Sequence, residues 1–457
     1  MSLNQIYNKV LYCLRVNGWW YTIRKILQTL LGTADPQNNP KWPEIQKRHF
    51  ERYPQYDPTR NIVSKVPTTS VEDYLRNQDA GCSPIDSVIT APMKCMRLNV
   101  VTDSLEKDSL FGGVATAIVI ATKFAQENDI PLRIITRAAP TNPRAYYNIV
   151  KMNQLEAPKK VTFFSDCNRD AKGKSKYKLE LTEQDVFLAT SWWSAEAIRR
   201  TSLRKRFFYV IQEVETFFYN YGDMHYRCSQ IMNNPNIDFI VNSHYLWDYF
   251  AEWNKNIVDH GVCFEPAFSN KMFCPGKFEK DKKKYKLFFY SRPNNSRNLF
   301  GYGIYILNEA VRKGILDTEE WEICFAGQDV PALSFCNGYS PKRMGRLDWN
   351  EYAAFLKTVD LTLSLMYTPH PSYPPYDAAC SGNVVLTNTF LNKKSFDQCA
   401  NVLMSSLDEE DFLKALEDAI DRAKDMDTRE KNCLNSTILH DWNQSLQDTM
   451  RFMRGCV

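Results

Sequence analysis

Short apolar runs, each followed by a turn and then a helical stretch, recur in two series along this chain. That rhythm limits the fold more than any other feature. Residues 97–101, 132–135, 161–164, 186–189, 207–211 and 239–241 form the first series of strand-like runs. The second comprises residues 285–290, 322–325, 361–365 and 384–386, with helical patterns at 303–313, 351–358, 377–380 and 409–424. Strands alternating with helices build parallel sheets that helices cover on both faces. The two series meet near residues 265–284, and 457 residues exceed what one core usually serves. The expected fold class is therefore α/β, with two Rossmann-like, doubly wound domains facing across a cleft. These domains are expected at residues 96–268 and 269–435. An N-terminal helix and irregular extension (1–95) precede them, and a C-terminal helix (436–457) follows.

The extension carries two kinds of sequence. Residues 1–31 read as a basic amphipathic helix, with Leu14, Trp20, Ile23, Leu27 and Leu30 among Arg15, Arg24 and Lys25. Its apolar run is broken too often to span a bilayer. Either it lies in a membrane interface, with Trp19 and Trp20 inserted, or it packs against the rest of the protein. Residues 33–92 are rich in Pro, Asn, Asp and charge, and read as irregular wrapping structure or linker rather than core. A net charge of +4 gives no field that would draw the whole chain to nucleic acid or membrane. The 13 cysteines include no Cys-x-x-Cys pair, and no two of the six histidines lie at metal-ligand spacing. This argues against a disulfide framework and a zinc site, and points to a reducing cytoplasmic compartment with no metal expected.

Strand ends carry the candidate chemistry, because ligands of open α/β sheets bind at the carboxyl ends of strands. After residues 285–290 comes Arg292-Pro-Asn-Asn-Ser-Arg297, two permanently charged planar forks five residues apart. Such forks match a diphosphate, whose oxygens they pair bidentately. A solvated loop that happens to carry two arginines is the alternative. Phe111-Gly-Gly-Val114 opens a helix after the first strand, and its glycines would let backbone N–H groups approach a ligand. The full Gly-x-Gly-x-x-Gly of a dinucleotide site is missing. Gly173-Lys-Ser175 lacks the first glycine of a phosphate-binding loop and reads as a solvated turn. Asp425-Met-Asp427 lies in a late, charged helical stretch unsuited to a metal.

Trp192 and Trp193 follow the run at 186–189, and Gln212-Glu-Val-Glu215 follows 207–211. The tryptophans there could stack on a sugar, and Glu213 or Glu215 could accept sugar hydroxyls or a proton. Equally, the indoles could pack between domains and the carboxylates could cap the next segment. Residues 364–382 give the strongest local signal. A strand there yields to the Pro-rigid loop His370-Pro-Ser-Tyr-Pro-Pro375 and then to a short helix. Asp377 in its first turn would aim a carboxylate into the cleft, suited to ribose hydroxyls.

Taken together, these strings resemble the GT-B glycosyltransferases, and most closely the WsaF-type rhamnosyltransferases of bacterial surface polysaccharide synthesis. The second domain carries Phe289-Tyr-Ser-Arg292-x4-Arg297, Phe325-Ala-Gly327, Met344-Gly-Arg-Leu347 and Pro375-Tyr-Asp-Ala-Ala-Cys-Ser-Gly382. The first carries Phe111-Gly-Gly113, Ala189-Thr-Ser-Trp-Trp193 and Tyr209-Val-Ile-Gln-Glu213. The resemblance implies that the first domain is the acceptor side and the second binds the nucleotide sugar. It assigns the donor diphosphate to Arg292 and Arg297, the base to Gly345 and Leu347 with Gly327 nearby, and the ribose to Asp377. Gly112 and Gly113 would approach the donor from the opposite domain, and Trp192 and Trp193 would meet the acceptor.

One departure bears on the chemistry. Many retaining relatives carry Glu eight residues before the ribose-binding carboxylate, where this chain has Pro369. Prolines at 371, 374 and 375 supply no N–H, which leaves Ser372 and Tyr373 as backbone donors. An inverting reaction would need a base, for which Glu213 is the candidate; a retaining one would not. The function implied is transfer of a sugar, L-rhamnose from a dTDP donor, onto a saccharide or lipid-linked glycan acceptor. No metal or cofactor beyond the donor is expected. Another nucleotide sugar, an epimerase or phosphorylase, and a catalytically silent scaffold are the alternatives. The last helix, with Trp442, is expected to cross back to the first domain.

Overall fold

The computed structural model describes residues 80–105, 113–167, 176–280 and 282–457, with isolated positions before residue 75. Apart from those positions, the readings of residues 1–31 and 33–79 lie outside this range, as do Gly112 and Gly173-Lys-Ser175. The chain divides into two compact units, Met1–Leu75 and Arg76–Val457, and the second holds all three sheets of the described residues.

The first sheet contains β2 (Arg97–Thr102), β3 (Leu132–Thr136), β4 (Val161–Ser165), β6 (Asp185–Ala189), β7 (Phe207–Ile211), β8 (Ile237–Asn242) and β9 (Gly261–Phe264). They lie in the order β4-β3-β2-β6-β7-β8-β9, every pair parallel. The second is built from β10 (Tyr285–Tyr290), β11 (Trp321–Ala326), β12 (Lys342–Gly345), β13 (Leu361–Leu363), β14 (Val384–Asn388) and β15 (Val402–Ser405). Its order is β12-β11-β10-β13-β14-β15, again all parallel. Helices cover both faces, so central strands are buried throughout and several run apolar without alternation, as in Phe207–Ile211 and residues 384–386.

In each sheet the chain first winds to one side and then returns to the other. The reversals fall beside β2 and β10. Crevices open at such switch points, at the carboxyl ends of the strands. Thr102–Ser104 and Ser291–Arg297 occupy those ends here.

The stretch expected to be irregular up to Pro92 is only partly so. β1 (Ser87–Ile89) pairs with β5 (Leu179–Leu181), and Cys82 and Ile85 are buried in the core of the first lobe. At the other terminus, the helix Gln447–Cys456 packs on the first lobe. Trp442, Leu446, Met450 and Met453 join Leu98, Ile118 and Phe124 in one apolar cluster. Trp442 Nε1 donates to Asn153 Oδ1 at 2.8 Å, and Lys123 Nζ to Asn443 Oδ1 at 2.6 Å. Among the described residues no helix is long and apolar enough to cross a membrane.

Candidate functional site

Between the lobes lies a cleft of about 590 Å³, lined from both sides. Its floor on the second lobe is the carboxyl edge of that sheet. Gly327 follows β11, and a Cβ there would stand 1.6 Å from the Ser291 carbonyl oxygen at the end of β10. Only glycine lets the two strand ends approach this closely. The Gly327 N–H in turn donates to the Gly345 carbonyl at 3.0 Å, and Gly345 takes a φ of +66° at the end of β12. Gly327, Gly345 and Leu347 all line the cleft.

Arg292 and Arg297 line it too. Arg292 is exposed at the end of β10. Arg297 sits in the single turn Ser296–Asn298, its guanidinium carbon 4.4 Å from the centre of the Phe218 ring. Its Nη1 donates across the cleft to Glu213 Oε2 at 2.6 Å. Glu213 is buried after β7 and also accepts from Thr368 Oγ1 at 3.1 Å and from the Val214 N–H at 3.0 Å. Burial raises its pKa and the Arg297 charge opposes the rise. The two residues assigned from sequence to separate roles are thus partners of each other.

Asp377 lies in the helix Pro374–Cys380 and faces the same space. Its carboxylate has no hydrogen-bond partner among the described residues, and burial lifts its pKa well above the usual range. A buried, unsatisfied carboxylate is costly to the fold. A ligand hydroxyl would satisfy it. Ser372 and Tyr373 line the cleft in the preceding loop. Tyr373 does more than its backbone role suggested: its hydroxyl meets Thr116 Oγ1 at 2.7 Å and accepts from Asn242 Nδ2 at 2.7 Å, tying the second lobe to the first. Gly113 opens the helix Gly113–Glu127 at the cleft, its carbonyl accepting from Gln212 Nε2 at 2.6 Å.

The tryptophan pair divides. Trp193 lines the cleft and donates its Nε1 to Asp103, at 2.8 Å to Oδ2. Trp192 is fully buried, with its Nε1 donating to Tyr219 Oη at 2.8 Å, so it offers no ring face to an acceptor. The cause is local. Ser191 and Ser194 form a capping box that starts the helix Trp192–Arg199, and successive helical residues point about 100° apart. One of two adjacent indoles must then turn inward. Asp425, in the discarded Asp-x-Asp, is a helix cap accepting from the Thr428 N–H at 3.1 Å.

Three residues that sequence reasoning gave no role, Asp103, Lys393 and His370, complete the site together with Glu215, which the sequence offered beside Glu213. Asp103, at the end of β2, lines the cleft, and burial raises its pKa against the Trp193 hydrogen bond. Glu215 accepts the Trp192 N–H at 2.8 Å and is pushed up by burial to about 7. Lys393 is buried with its Nζ on the Met366 carbonyl at 2.8 Å; burial lowers its pKa to about 7, with Glu213 opposing. His370 Nδ1 accepts the Ser372 N–H at 3.0 Å, and burial, reinforced by Lys393 and Arg297, lowers its pKa to about 3. The ring is therefore neutral with its proton on Nε2, an atom with no partner. The position of Asp103 at a strand end, and that of His370 as a lone histidine in a proline-rich loop, were signals that could have found them. Nothing local marked Lys393.

Solved structures share this architecture. Sucrose-phosphate synthase from Thermosynechococcus elongatus superposes with a TM-score of 0.53 at 11% identity, over 79% of this chain and 98% of that one. S. aureus TarM, in a complex with fondaparinux, α-GlcNAc-glycerol and UDP, gives 0.54 at 10% over 78% and 99%. WaaG, a glycosyltransferase involved in lipopolysaccharide biosynthesis, gives 0.53 at 11% over 78% and 100%. Two parallel-sheet lobes around a shared cleft define the GT-B glycosyltransferase fold.

Within that class the family is specific. The WsaF N-terminal domain matches residues 97–237 and the WsaF C-terminal domain residues 285–417, together more than half of the chain. The chain belongs to the WsaF family. The O-antigen biosynthesis protein RfbC of Myxococcus xanthus is 26% identical over 249 residues, 52% of this chain and 18% of that protein. This chain thus matches less than a fifth of that curated relative's length.

Proposed function

We propose that this protein transfers a sugar from a nucleoside-diphosphate donor onto a saccharide acceptor in bacterial surface polysaccharide synthesis, with dTDP-L-rhamnose as the donor. The observation that carries the reading is the convergence of Arg292, Arg297 and the unpartnered Asp377 carboxylate on one interlobe cleft. Family membership supports the reaction class, and the RfbC and WaaG likenesses support the polysaccharide context. The rhamnosyl donor follows from the WsaF-type resemblance.

In this reading the diphosphate lies against Arg292 and Arg297, the ribose hydroxyls on Asp377, and the base over Gly345 and Leu347. As the glycosidic bond to the sugar breaks, negative charge grows on the departing phosphate. The two guanidinium groups neutralise it without reorganising, and each such donor typically lowers the barrier by about 2.7–4 kcal/mol. The reading calls for no resident cofactor or metal. The neutral His370 offers its Nε2–H to the donor's sugar or phosphate. If the reaction inverts, the acceptor hydroxyl must lose its proton to a first-lobe carboxylate. Glu213 is committed to Arg297 and Thr368. Asp103, whose pKa burial raises against the Trp193 hydrogen bond, suits that step better.

Calorimetry with dTDP and UDP, followed by turnover of a nucleotide-sugar panel, tests the reading. dTDP should bind, and Arg292→Ala should weaken it at least tenfold. If neither nucleotide binds, the chain is a scaffold. Turnover of the donor to an isomeric nucleotide sugar, with no acceptor present, would make it an epimerase.

A further inference from the structure

An aromatic strip leaves the mouth of the cleft and crosses from one lobe to the other. Phe218, under the Arg297 guanidinium, lines the cleft and is 37% exposed. Its neighbour Phe217 packs edge-on against Tyr249 on one side and Phe390 on the other, with ring centres 5.9 and 6.3 Å apart. Tyr249 stacks on Trp253 at 6.3 Å, and Phe390 meets Tyr367 at 4.7 Å. Both ends are open, with Trp253 63% and Tyr367 52% exposed. Phe217, Tyr249 and Trp253 belong to the first lobe, while Tyr367 and Phe390 follow β13 and β14 of the second.

Phe217, Phe218, Trp253 and Tyr367 are exposed, and the half-buried Tyr249 and Phe390 join them into one aromatic surface, which suits binding better than chance exposure. We propose that this strip carries the sugar units of the acceptor oligosaccharide that lie beyond the one being modified. The proposal rests on the glycosyltransferase reading above and gives its acceptor a path. The reacting end must enter the cleft beside Arg297, and the remaining sugars must then leave through the mouth that Phe218 and Phe217 flank. Ring faces suit the C–H faces of pyranoses, and the Tyr249 and Tyr367 hydroxyls can pair with sugar hydroxyls. A bilayer is the rival occupant, since aromatic rings also favour membrane interfaces. Charge speaks against it. On the helix His244–Trp253, which carries Tyr249 and Trp253, Asp248 and Glu252 are exposed and the exposed His244 is tied to Glu265 at 2.8 Å, so the helix offers no surplus of positive charge to draw an anionic leaflet.

The test uses the full chain and its Trp253→Ala and Tyr367→Ala variants. Both positions are exposed and should tolerate truncation, which circular dichroism checks. Binding is read on an array of bacterial surface-polysaccharide fragments one to eight sugars long, and on sedimented vesicles of phosphatidylglycerol and phosphatidylethanolamine. The wild-type chain should bind fragments of three or more sugars, and each substitution should weaken them at least tenfold while single sugars change less than twofold. Fragment binding indifferent to both substitutions, or loss that is equal for all lengths, overturns the proposal. So does Trp253-dependent sedimentation with vesicles and no fragment binding. Calorimetry of dTDP and UDP on the wild-type chain separates the two levels. Nucleotide binding without a role for the strip removes only this inference, whereas absent nucleotide binding removes the enzyme reading beneath it.

Discussion

Cutting the Arg297–Glu213 pair from either side should give unequal results. The Glu213 side chain is 7% exposed and that of Arg297 23%. Removing Arg297 abandons a carboxylate in the interior, whereas removing Glu213 leaves a cation that is partly wet and still rests on Phe218. Breaking a buried pair by losing one partner costs about 3–5 kcal/mol. The partial exposure of Arg297 and the remaining Thr368 hydrogen bond place Arg297→Ala at the lower end, about 3 kcal/mol. Glu213→Ala should cost about 1 kcal/mol, as a half-solvated pair does. Urea unfolding of the two variants and the double variant measures both, and the cycle isolates the coupling. The pH dependence has a definite sign. Without Arg297, burial holds the folded pKa of Glu213 above its unfolded value, so the folded state binds the extra proton. The penalty in Arg297→Ala should therefore shrink as pH falls toward the unfolded carboxylate pKa and grow as pH rises. Turnover should fall by about 10²–10³ in Arg297→Ala and much less in Glu213→Ala. Equal stability losses, or an equal loss of turnover, would refute the view that Glu213 orients Arg297 rather than reacting itself.

Three further outcomes follow from single contacts. Gly327→Ala forces apart the ends of β10 and β11, because its Cβ would meet the Ser291 oxygen at 1.6 Å. Overpacking should lower the urea-unfolding stability by about 1–3 kcal/mol, and calorimetry should find nucleotide binding abolished, since Arg292 is the next residue after Ser291. Asp377→Asn should raise the unfolding midpoint, because a carboxyl whose ionisation burial penalises, and which no group among the described residues pairs, is replaced by a neutral amide. The same change should lower dTDP affinity about tenfold or more, the usual loss of a hydrogen bond to a charged group. A variant that lost stability and kept affinity would contradict the ribose assignment. Lys393 has a folded pKa of about 7 against an ordinary value of 10.5. The unfolded chain therefore binds more protons between those values, and stability should rise with pH across that window. Lys393→Met should flatten this rise, as read from urea midpoints at several pH values.

Central strands announced themselves, whereas of the edge strands of the two large sheets only β4 did. The runs at 285–290 and 384–386 are largely apolar because both faces of their sheet are covered, whereas 361–365 sets leucine at every second position with Thr362 and Ser364 buried between them. β12 was invisible for the opposite reason. Its Lys-Arg-Met-Gly is exposed at the sheet edge, where solvent tolerates polar side chains, so no apolar run marks it. β1 and β5 are three-residue strands that exist only by pairing with each other across the chain. Among site residues, those at strand ends were readable because topology alone sends them to the crevice: Arg292, Gly113 and Glu213. Trp192 misled because a strand end gives the neighbourhood of a side chain and not its direction, which the capping box of the next helix decides. Contacts such as Tyr373 with Asn242 and Arg297 with Glu213 join residues 131 and 84 positions apart, and no local pattern encodes them.

Those long-range contacts change how the cleft must work. An arginine assigned to a diphosphate is found already paired, which at first sight competes with the donor. The geometry resolves the conflict, because a guanidinium carries five N–H donors in a fixed fork and Glu213 engages only Nη1. The pair fixes the plane of the fork and leaves its other N–H groups for a ligand in the cleft that Arg297 lines. A lysine in that position would spend its point charge on Glu213 and hold no orientation. Arg297→Lys should therefore keep most of the folding stability lost in Arg297→Ala, yet recover little of its turnover. Measured side by side, the two substitutions separate the charge of this residue from its shape, and full recovery by lysine would mean that charge alone suffices.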